Sequence, residues 1–239
     1  MNIASFQPFP HQELALFPKQ IDIWRFPLTS AHQESDSVMN HEEKNRADRF
    51  YFAKHQRRFR AARTTLRLIL AYYAKIQAGK LAFTYNQYGK PALQDFPFIQ
   101  FNLSHSSDLA LLAVGMDAPL GIDLEFFSAR PYQGIGEQLF SQKENEVLNR
   151  LPQALKPLCF FHIWAQKEAF IKACGLGLHY PIHQITVPSL PPTDCAIIDP
   201  MTQKTWKLCS FTPHIGCHAA LCFDPSITTF RHFSIQNFF

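Results

Sequence analysis

Hydrophobic positions repeat with helical spacing in one long stretch of the first half of the chain. Between residues 42 and 77, apolar side chains recur every three or four residues, as they do on the buried face of a helix (Phe59, Ala62, Leu66, Ile69, Leu70, Tyr73 and Ile76). Gly79 follows at a place where a helix can end. The pattern therefore predicts a helical region over 42–77.

Short apolar segments come next, and their length and alternation predict strands. They are LAFTY (81–85), FIQFNLSH (98–105), LALLAV (109–114) and PLGIDLEFF (119–127). The sequence NQYGKP separates the first two, and its Gly-Lys-Pro step is typical of a turn.

The same order of elements then occurs a second time. Helical patterns cover 136–151 and 157–174, ended by Gly-Leu-Gly, and four further apolar segments predict strands: IHQITV (182–187), TWKLCSF (205–211), GCHAALCF (216–223) and TTFRHFSI (228–235). The repetition predicts an α+β fold of two similar α+β halves, packed as an intramolecular pseudo-dimer. We place the halves at residues 1–118 and 119–239, with the divide near Pro119.

Composition narrows the class of protein. Hydrophobic residues make up 46% of the chain and charged residues 18%, which is typical of a globular protein and not of a disordered one. The 23 basic and 19 acidic residues give a net charge of +4, which favours an acidic partner or a phosphate-bearing ligand. The six cysteines form no C-x-x-C pair, and no signal peptide or membrane-length apolar run is evident. We therefore expect a cytoplasmic protein.

Two carboxylates lie one residue apart in the predicted strand GIDLE. In a strand, Ile122, Leu124 and Phe126 point to one face, whereas Asp123 and Glu125 point to the other. Side chains two residues apart on one face are roughly 7 Å apart at Cα, so both carboxylates can bind a single hard cation such as Mg²⁺. The alternative is an edge strand with one solvated acidic face.

A second pair of charges lies in the predicted helix that contains WAQKEAFIK. Glu168 and Lys172 are four residues apart and are therefore neighbours on one surface of the helix. They could form an ordinary exposed ion pair, which contributes little. Trp164, one turn before Glu168, instead places the pair at the border of the buried face, where a carboxylate needs a partner. A metal ion held by Asp123 and Glu125 would be such a partner.

Three polar residues precede these motifs at predicted strand and turn positions. Lys90 lies in the Gly-Lys-Pro turn, and Ser104 and His105 directly follow an apolar strand. An ammonium, a hydroxyl, an imidazole and the N–H groups at a strand end are donors suited to phosphate oxygens. A nucleophilic Ser–His pair is the rival hypothesis, but adjacent strand residues point to opposite faces.

The arginines of the first helical region divide into two groups. On a helical wheel, Arg57, Arg60 and Arg67 lie opposite the apolar stripe, which predicts a solvated basic face. Arg58 and Arg63 lie on the two flanks of the stripe, from which a side chain can extend toward a neighbouring element. A nucleic-acid-binding helix is the alternative, but no aromatic ladder or known binding motif accompanies it.

Four motifs in this order resemble those of the 4′-phosphopantetheinyl transferases: G-K-P, F-N-x-S-H, G-I-D-L-E and W-x-x-K-E-A-x-x-K. They extend from about residue 88 to 181, and RFYFAKHQRRFRAARTTLR is a looser likeness upstream. The match is to the long, Sfp-type branch with two fused halves, and the arginine-rich helix and the turn are most similar to the heterocyst-associated members.

The resemblance implies transfer of the phosphopantetheine group of coenzyme A to a serine of an apo acyl or peptidyl carrier protein, with release of adenosine 3′,5′-bisphosphate. It implies that Mg²⁺ is held by Asp123, Glu125 and Glu168, and that Glu168, directly or through a metal-bound water, helps to deprotonate the serine. Lys172 would neutralise the leaving phosphate. The coenzyme A phosphates would be bound by Arg46, Arg58, Lys90, Ser104, His105 and Lys172, with Arg58 at the 3′-phosphate.

These implications leave two other hypotheses to test. One is a non-catalytic module that binds coenzyme A or a nucleotide through the same phosphate-binding groups. The other is a basic nucleic-acid binder, whose affinity would depend strongly on salt. Under the transferase hypothesis, we expect a monomer that binds neither nucleic acid nor membrane.

Overall fold

The computed structural model describes residues 4–8, 14–29, 35–127 and 133–235. The helices are α1 (Ser35–Val38), α2 (His41–Asp48), α3 (Ala53–Ala74), α4 (Gln133–Leu139), α5 (Gln142–Arg150) and α6 (Lys156–Cys174). The strands are β1 (Gln7–Pro8), β2 (Gln20–Pro27), β3 (Phe83–Tyr85), β4 (Pro91–Leu93), β5 (Ile99–Ser106), β6 (Leu109–Met116), β7 (Leu120–Phe126), β8 (Asp194–Ile198), β9 (Thr205–Phe211), β10 (Cys217–Phe223) and β11 (Thr229–Ser234).

Two main sheets, each covered by one long helix, form the body of the molecule. The first sheet has the strand order β1-β11-β2-β6-β5 and the second has the order β7-β10-β9-β8. Alternate residues of β2 point to opposite faces: Trp24 and Phe26 pack against α3, whereas Ile21 and Ile23 face the second sheet. The second sheet packs its other face against α6.

The result is a layered arrangement of helix, sheet, sheet and helix, with apolar cores between successive layers. Ile122 and Leu124 of β7 belong to the central core between the two sheets. This architecture confirms the α+β class.

The last strand crosses from the second half of the chain into the first sheet. β11 lies between β1 and β2 and is parallel to both. Buried Asp22 accepts two hydrogen bonds from Arg231 of β11, at 2.7 Å each, and one from the hydroxyl of Tyr73 at 2.6 Å. Because β11 pairs outside its own half, the division of the chain at residue 118 stays a proposal.

Three sequence-based predictions of secondary structure were wrong in detail, one of them the helical region 136–151, which is divided between α4, ending at Leu139, and α5, beginning at Gln142. The helical region 42–77 is divided: α2 ends at Asp48 and α3 begins at Ala53, after an extended residue, Phe52. The aromatic run that ends at Phe52 has low helix propensity and favours this break. The segment 182–187 is not a strand but starts with a short 3₁₀ turn, and its apolar residues Ile182 and Ile185 belong to the core beneath α6. An apolar run of this length marks burial without specifying the backbone conformation.

Arg67 corrects the prediction of a fully solvated basic face on α3. Its side chain is completely buried, and its guanidinium binds a carboxylate oxygen of Glu43 at 2.7 Å. It also donates to the main-chain oxygens of Ala78 and Leu81, at 3.0 Å each. Helix α2 and the turn after α3 cover this side of α3, which the periodicity of α3 alone does not indicate.

None of the helices within the described ranges combines the length and apolar composition needed to cross a membrane.

Candidate active site

Strands β5 and β7 lie side by side at the edges of the two sheets, and side chains of β5 bind the backbone of β7. The side-chain oxygen of Asn102 accepts the N–H of Ile122 at 2.8 Å, and the hydroxyl of Ser106 accepts the N–H of Phe126 at 3.1 Å. These bonds take the place of a main-chain ladder where the sheets meet. The seam between β5 and β7 is therefore tightly aligned.

The alternation of side chains predicted for GIDLE is confirmed. Ile122 and Leu124 are buried between the two sheets, whereas the carboxylates of Asp123 and Glu125 contact side chains of α6. Asp123 is only 3% exposed, so β7 does not present a solvated acidic face. A carboxylate buried to this degree requires charged or polar partners.

Gly121 allows α6 to pack directly on β7. A side-chain carbon built at Gly121 would lie 2.1 Å from the carbonyl oxygen of Ala169 and 2.3 Å from the amide nitrogen of Ala173. Both are main-chain atoms of α6, so any residue larger than glycine would push the helix away from the strand. This close approach brings one face of α6 against Asp123 and Glu125.

Lys172 of α6 pairs with Asp123 of β7. Its ammonium nitrogen lies 2.5 Å from Oδ1 of Asp123, 3.0 Å from the hydroxyl of Ser104 and 3.4 Å from the carbonyl oxygen of Ile122. Ser104 also donates to Oδ1 of Asp123 at 2.7 Å. The other oxygen, Oδ2, is buried and has no hydrogen-bond partner among the described residues.

Glu125 is held by two donors, one on each carboxylate oxygen. The indole N–H of Trp164, two helical turns before Lys172, lies 3.2 Å from Oε1, and the hydroxyl of Ser106 lies 3.1 Å from Oε2. Burial and the neighbouring charge of Asp123 raise the pKa of Glu125, while the two hydrogen bonds oppose that shift.

Glu168 lies on the same face of α6, midway between Trp164 and Lys172 in the sequence. Burial raises the pKa of Glu168 to about 7; the charge of Lys172 opposes the shift, and those of Asp123 and Glu125 add to it. Within the part of the chain that the structure describes, its carboxylate makes no hydrogen bond. Glu168 is therefore a carboxylate that is poised to gain or lose a proton near neutral pH.

The carboxylates of Asp123, Glu125 and Glu168 are the kind of ligand that a hard divalent cation prefers, but in the structure they do not form a ready-made metal site. The described residues contain no group of three or more His, Cys, Asp or Glu side chains arranged to hold a metal ion. Yet Oδ2 of Asp123 is buried without a partner, and Glu168 interacts electrostatically with both Asp123 and Glu125. Oxygen donors of this kind fit Mg²⁺. The convergence of the three carboxylates on one ion stays a prediction.

The residues predicted to bind phosphates make different contacts in the structure. Ser104 is part of it, and His105 is exposed on the end of β5. Although the residue as a whole is exposed, partial burial of its imidazole, followed by the charges of Lys172 and Arg58, lowers the pKa of His105. Arg58 itself binds Asp108 at 2.8 Å.

Arg46 and Lys90 make contacts with other parts of the protein, and their binding to phosphate stays a prediction. Arg46 is exposed in the last turn of α2, with its guanidinium over the ring of Phe59 at 5.3 Å. The ammonium of Lys90 donates to the carbonyl oxygens of Leu120 and Ala173, at 3.1 Å each. Burial lowers the pKa of Lys90 to about 8.

Sequence reasoning missed Gly121 and Ser106 as residues that shape the site. The sequence offered one signal for Gly121: a glycine inside a strand often marks a place where another backbone approaches closely. Ser106 follows Ser104 by two residues, so it points to the same face of β5, toward the acidic side chains of β7.

Two family models match consecutive parts of the chain. The model described as 4′-phosphopantetheinyl transferase, N-terminal, matches residues 23–117, and the model of the 4′-phosphopantetheinyl transferase superfamily matches residues 119–222. The second match includes β7 and α6, and therefore all three carboxylates and Lys172.

Curated relatives extend this similarity to most of the chain. The 4′-phosphopantetheinyl transferase HetI of a Nostoc species is 37% identical over 87% of this chain and 89% of its own length. The 4′-phosphopantetheinyl transferase Sfp of Bacillus subtilis is 29% identical over 67% of this chain and 71% of its own length. The mouse L-aminoadipate-semialdehyde dehydrogenase-phosphopantetheinyl transferase is 29% identical over 83% of this chain and 73% of its own length.

Proposed function

Because this chain belongs to the 4′-phosphopantetheinyl transferase superfamily, we propose that its site transfers phosphopantetheine from coenzyme A to a serine of an apo carrier protein. The relatives that match most of the chain, HetI among them, are named as 4′-phosphopantetheinyl transferases. The observation that carries the proposal is the pairing of Lys172 of α6 with Asp123 at the seam of the two sheets, with Glu168 one turn before Lys172 on the same face of the helix.

The reaction requires a base for the attacking hydroxyl. The serine oxygen attacks the phosphorus that carries the pantetheine arm, and the bond from that phosphorus to the bridging oxygen of the pyrophosphate breaks. Glu168 accepts the serine proton, since its pKa of about 7 allows it to be ionised before attack and to hold the proton afterwards. The electron pair of the broken bond stays on adenosine 3′,5′-bisphosphate.

The leaving phosphate requires positive charge. Lys172 is held by Asp123 and Ser104 on the same face as Glu168, so its ammonium is oriented before the substrate binds. Such a preoriented cation stabilises the charge that develops on the leaving group. We assign Lys172 this neutralising role.

Asp123, Glu125 and Glu168 would hold the Mg²⁺ ion on which we propose the reaction depends. The unpartnered Oδ2 of Asp123 and the mutual electrostatic interaction of the three carboxylates support this assignment. When bound, the ion would supply charge neutralisation at the pyrophosphate. Trp164 and Ser106 keep the carboxylate of Glu125 in a fixed orientation for that purpose.

The remaining phosphate groups of coenzyme A would be bound near the start of α3 and the end of β5. Arg58 binds Asp108 in the turn after β5, His105 lies near the end of β5, and the charges of Lys172 and Arg58 both lower the pKa of His105. We propose that Arg58, with Arg46, binds the 3′-phosphate and that Ser104 and His105 bind the pyrophosphate. Arg58 would then exchange its present partner, the half-exposed Asp108, for a phosphate.

Intact-mass analysis tests the proposed function directly. The purified protein is incubated with coenzyme A, Mg²⁺ and an apo carrier protein, and the carrier should gain the mass of one phosphopantetheine group. The comparisons give no support to a non-catalytic binding module. That alternative predicts that coenzyme A binds to wild type and to Asp123→Ala equally, with no mass gain on any of several carriers.

We further propose that the protein works as a monomer in the cytoplasm. The six cysteines are free thiols, which fits a reducing compartment. Gel filtration with light scattering, at the concentration used in the assay, measures the oligomeric state.

A further inference from the structure

The C-terminal end of α6 is contacted by a turn from the other half of the molecule. The turn connects β3 and β4 and comprises residues Asn86–Lys90. The side-chain nitrogen Nδ2 of Asn86 donates to the carbonyl oxygen of Gly175 at 2.7 Å. The ammonium of Lys90 donates to the carbonyl oxygen of Ala173 at 3.1 Å. Both acceptors belong to the last turn of α6 and the residue after it, where a helix leaves carbonyl groups without intrahelical partners.

The geometry of Gly175 makes this contact possible. It is the residue after α6, it has the left-handed φ of +74°, and its N–H closes the helix on the carbonyl oxygen of Ile171. A side-chain carbon at this position would lie 3.1 Å from Cδ of Lys90 and 3.3 Å from the amide nitrogen of Asn86. Glycine thus permits both the helix ending and the close packing of the turn against it.

Lys90 also connects the helix to the strand that carries the carboxylates. Its ammonium donates to the carbonyl oxygen of Leu120 at 3.1 Å as well as to that of Ala173. Leu120 precedes Gly121, the residue on which α6 packs directly, and Ala173 follows Lys172. The ammonium therefore joins β7 and α6 beside the point where they cross. A cation at a helix C-terminus is also favoured by the helix dipole.

The turn has its own internal support. The side-chain oxygen of Asn86 accepts the backbone N–H groups of Tyr88 and Lys90, at 3.0 and 2.9 Å. The ring of Tyr88 packs on that of His179, beyond the end of α6, with the centroids 5.2 Å apart. One residue, Asn86, therefore shapes the turn with its oxygen and caps the helix with its nitrogen.

We propose that the Asn86–Lys90 turn is a cross-half cap of α6, and that Lys90 positions Glu168 and Lys172 for transfer and does not bind the phosphates of coenzyme A. This inference rests on the proposed function, since it concerns the residues that carry out the transfer. An ammonium bound by two main-chain oxygens has already satisfied most of its donor capacity. A shift of α6 along β7 would move the base and the ammonium together relative to Asp123, and misplacement of catalytic groups by about 1 Å can cost a hundredfold in rate.

Two substitutions distinguish the hypothesis that the turn caps α6 from the hypothesis that Lys90 binds a phosphate of coenzyme A. Lys90→Met removes the ammonium and keeps the length of the side chain. Asn86→Asp keeps the oxygen that shapes the turn, removes the donor to Gly175, and places a negative charge at the helix end. Gln87→Ala is the matched control, because Gln87 lies exposed in the same turn and makes no hydrogen bond to α6 within the described residues.

The experiment measures hydrogen exchange at the end of α6, calorimetric binding of coenzyme A, and transfer kinetics with coenzyme A and with 3′-dephospho-coenzyme A. We expect both variants to accelerate exchange of the last-turn amides and to lower kcat about ten- to a hundredfold on both substrates. The dissociation constant of coenzyme A should stay within about twofold of that of wild type. Gln87→Ala should match wild type throughout.

The proposal is overturned if Lys90→Met weakens coenzyme A binding while exchange and kcat stay unchanged, because Lys90 would then be a phosphate ligand. It is also overturned if Asn86→Asp leaves exchange at the end of α6 unchanged. Hydrogen exchange needs no turnover. A wild-type protein that fails to modify any carrier would therefore refute the proposed function, while the exchange data still decide whether the turn caps the helix.

Discussion

The ammonium nitrogen of Lys172 lies 2.5 Å from Oδ1 of Asp123, and the pair joins α6 to β7 at the seam between the two sheets. Asp123 is nearly fully buried, whereas the side chain of Lys172 is 26% exposed. The carboxylate therefore depends on the lysine for its charge partner, while the lysine keeps access to solvent and to a substrate. Structural support and proposed leaving-group stabilisation are combined in one side chain.

Lys172→Met should reduce both activity and stability, because it leaves a buried carboxylate without its cation. We expect the free energy of unfolding to fall by about 1–3 kcal/mol and kcat to fall about a hundredfold or more. Urea denaturation and transfer kinetics measure the two effects. Adding Asp123→Asn to Lys172→Met should recover part of the stability but none of the activity, and a double variant less stable than Lys172→Met would contradict the pairing.

Proton transfer to Glu168 predicts a pH profile. With its pKa near 7, the carboxylate is mostly protonated below that pH, so kcat/KM should rise about tenfold per pH unit in the acid range and level off above about 7. A bound cation favours the ionised form, so increasing Mg²⁺ should move the acid limb to lower pH. Steady-state kinetics from pH 5 to 9 at two Mg²⁺ concentrations measure this shift. A limb that does not respond to Mg²⁺ would argue against Glu168 as a metal ligand.

Ionisation of Glu168 should lower the stability of the folded protein as pH rises from about 4.5 to about 7. The pKa of Glu168 is raised on folding from 4.5 to about 7, so the folded state binds more protons between these values and stability falls as pH rises through that window. Glu168→Gln removes the titration. We expect this variant to be more stable than wild type by on the order of 1–3 kcal/mol at pH 8 and about equally stable near pH 4.5, with activity lost. Denaturant unfolding at the two pH values tests this, and equal differences at both would refute it.

Gly121→Ala should displace α6. Its Cβ would lie 2.1 Å from the carbonyl oxygen of Ala169, a main-chain atom that cannot move without the helix. Overpacking of this kind costs about 1–3 kcal/mol or more, and the shift should also lower kcat. Gly134→Ala is the control, because a methyl group there contacts nothing within 4 Å and alanine favours the helix. Thermal unfolding of both variants measures the contrast, and a Gly121→Ala protein as stable as wild type would show that the helix can move freely.

Local periodicity predicted much of the candidate site. The faces of β7 follow from its two-residue repeat, and the shared surface of Glu168 and Lys172 follows from their four-residue spacing. Both patterns depend only on the geometry of a single element. Only the family motifs indicated that strand β7 and helix α6 contribute to the same site, because the periodicity of one element says nothing about its neighbours.

What local periodicity could not predict has a different physical origin. Arg67 was expected to be solvated, yet its guanidinium binds two main-chain carbonyl oxygens after α3. The contacts of the Lys90 ammonium with two main-chain carbonyl oxygens were likewise not predicted, and its binding to phosphate stays untested. Which side of α3 is covered, and what meets the end of α6, depends on elements distant in sequence. β2, the third strand of the first sheet in spatial order, was also not predicted; both of its faces are buried, so it lacks a clear alternation of apolar and polar residues.

Arg67→Met should be among the most destabilising substitutions on α3. Arg67 is fully buried and binds Glu43, which also binds Arg63 and caps α2 through the N–H of Asn40. Removing the guanidinium leaves a buried carboxylate with fewer partners and two carbonyl oxygens without donors, so we expect a loss of about 3–5 kcal/mol. Arg57→Met, on the exposed side of the same helix, should change stability by less than about 0.5 kcal/mol. Urea denaturation measures the free energy of unfolding of both variants. Equally small decreases for the two would contradict the buried position of Arg67 and support the predicted solvated face.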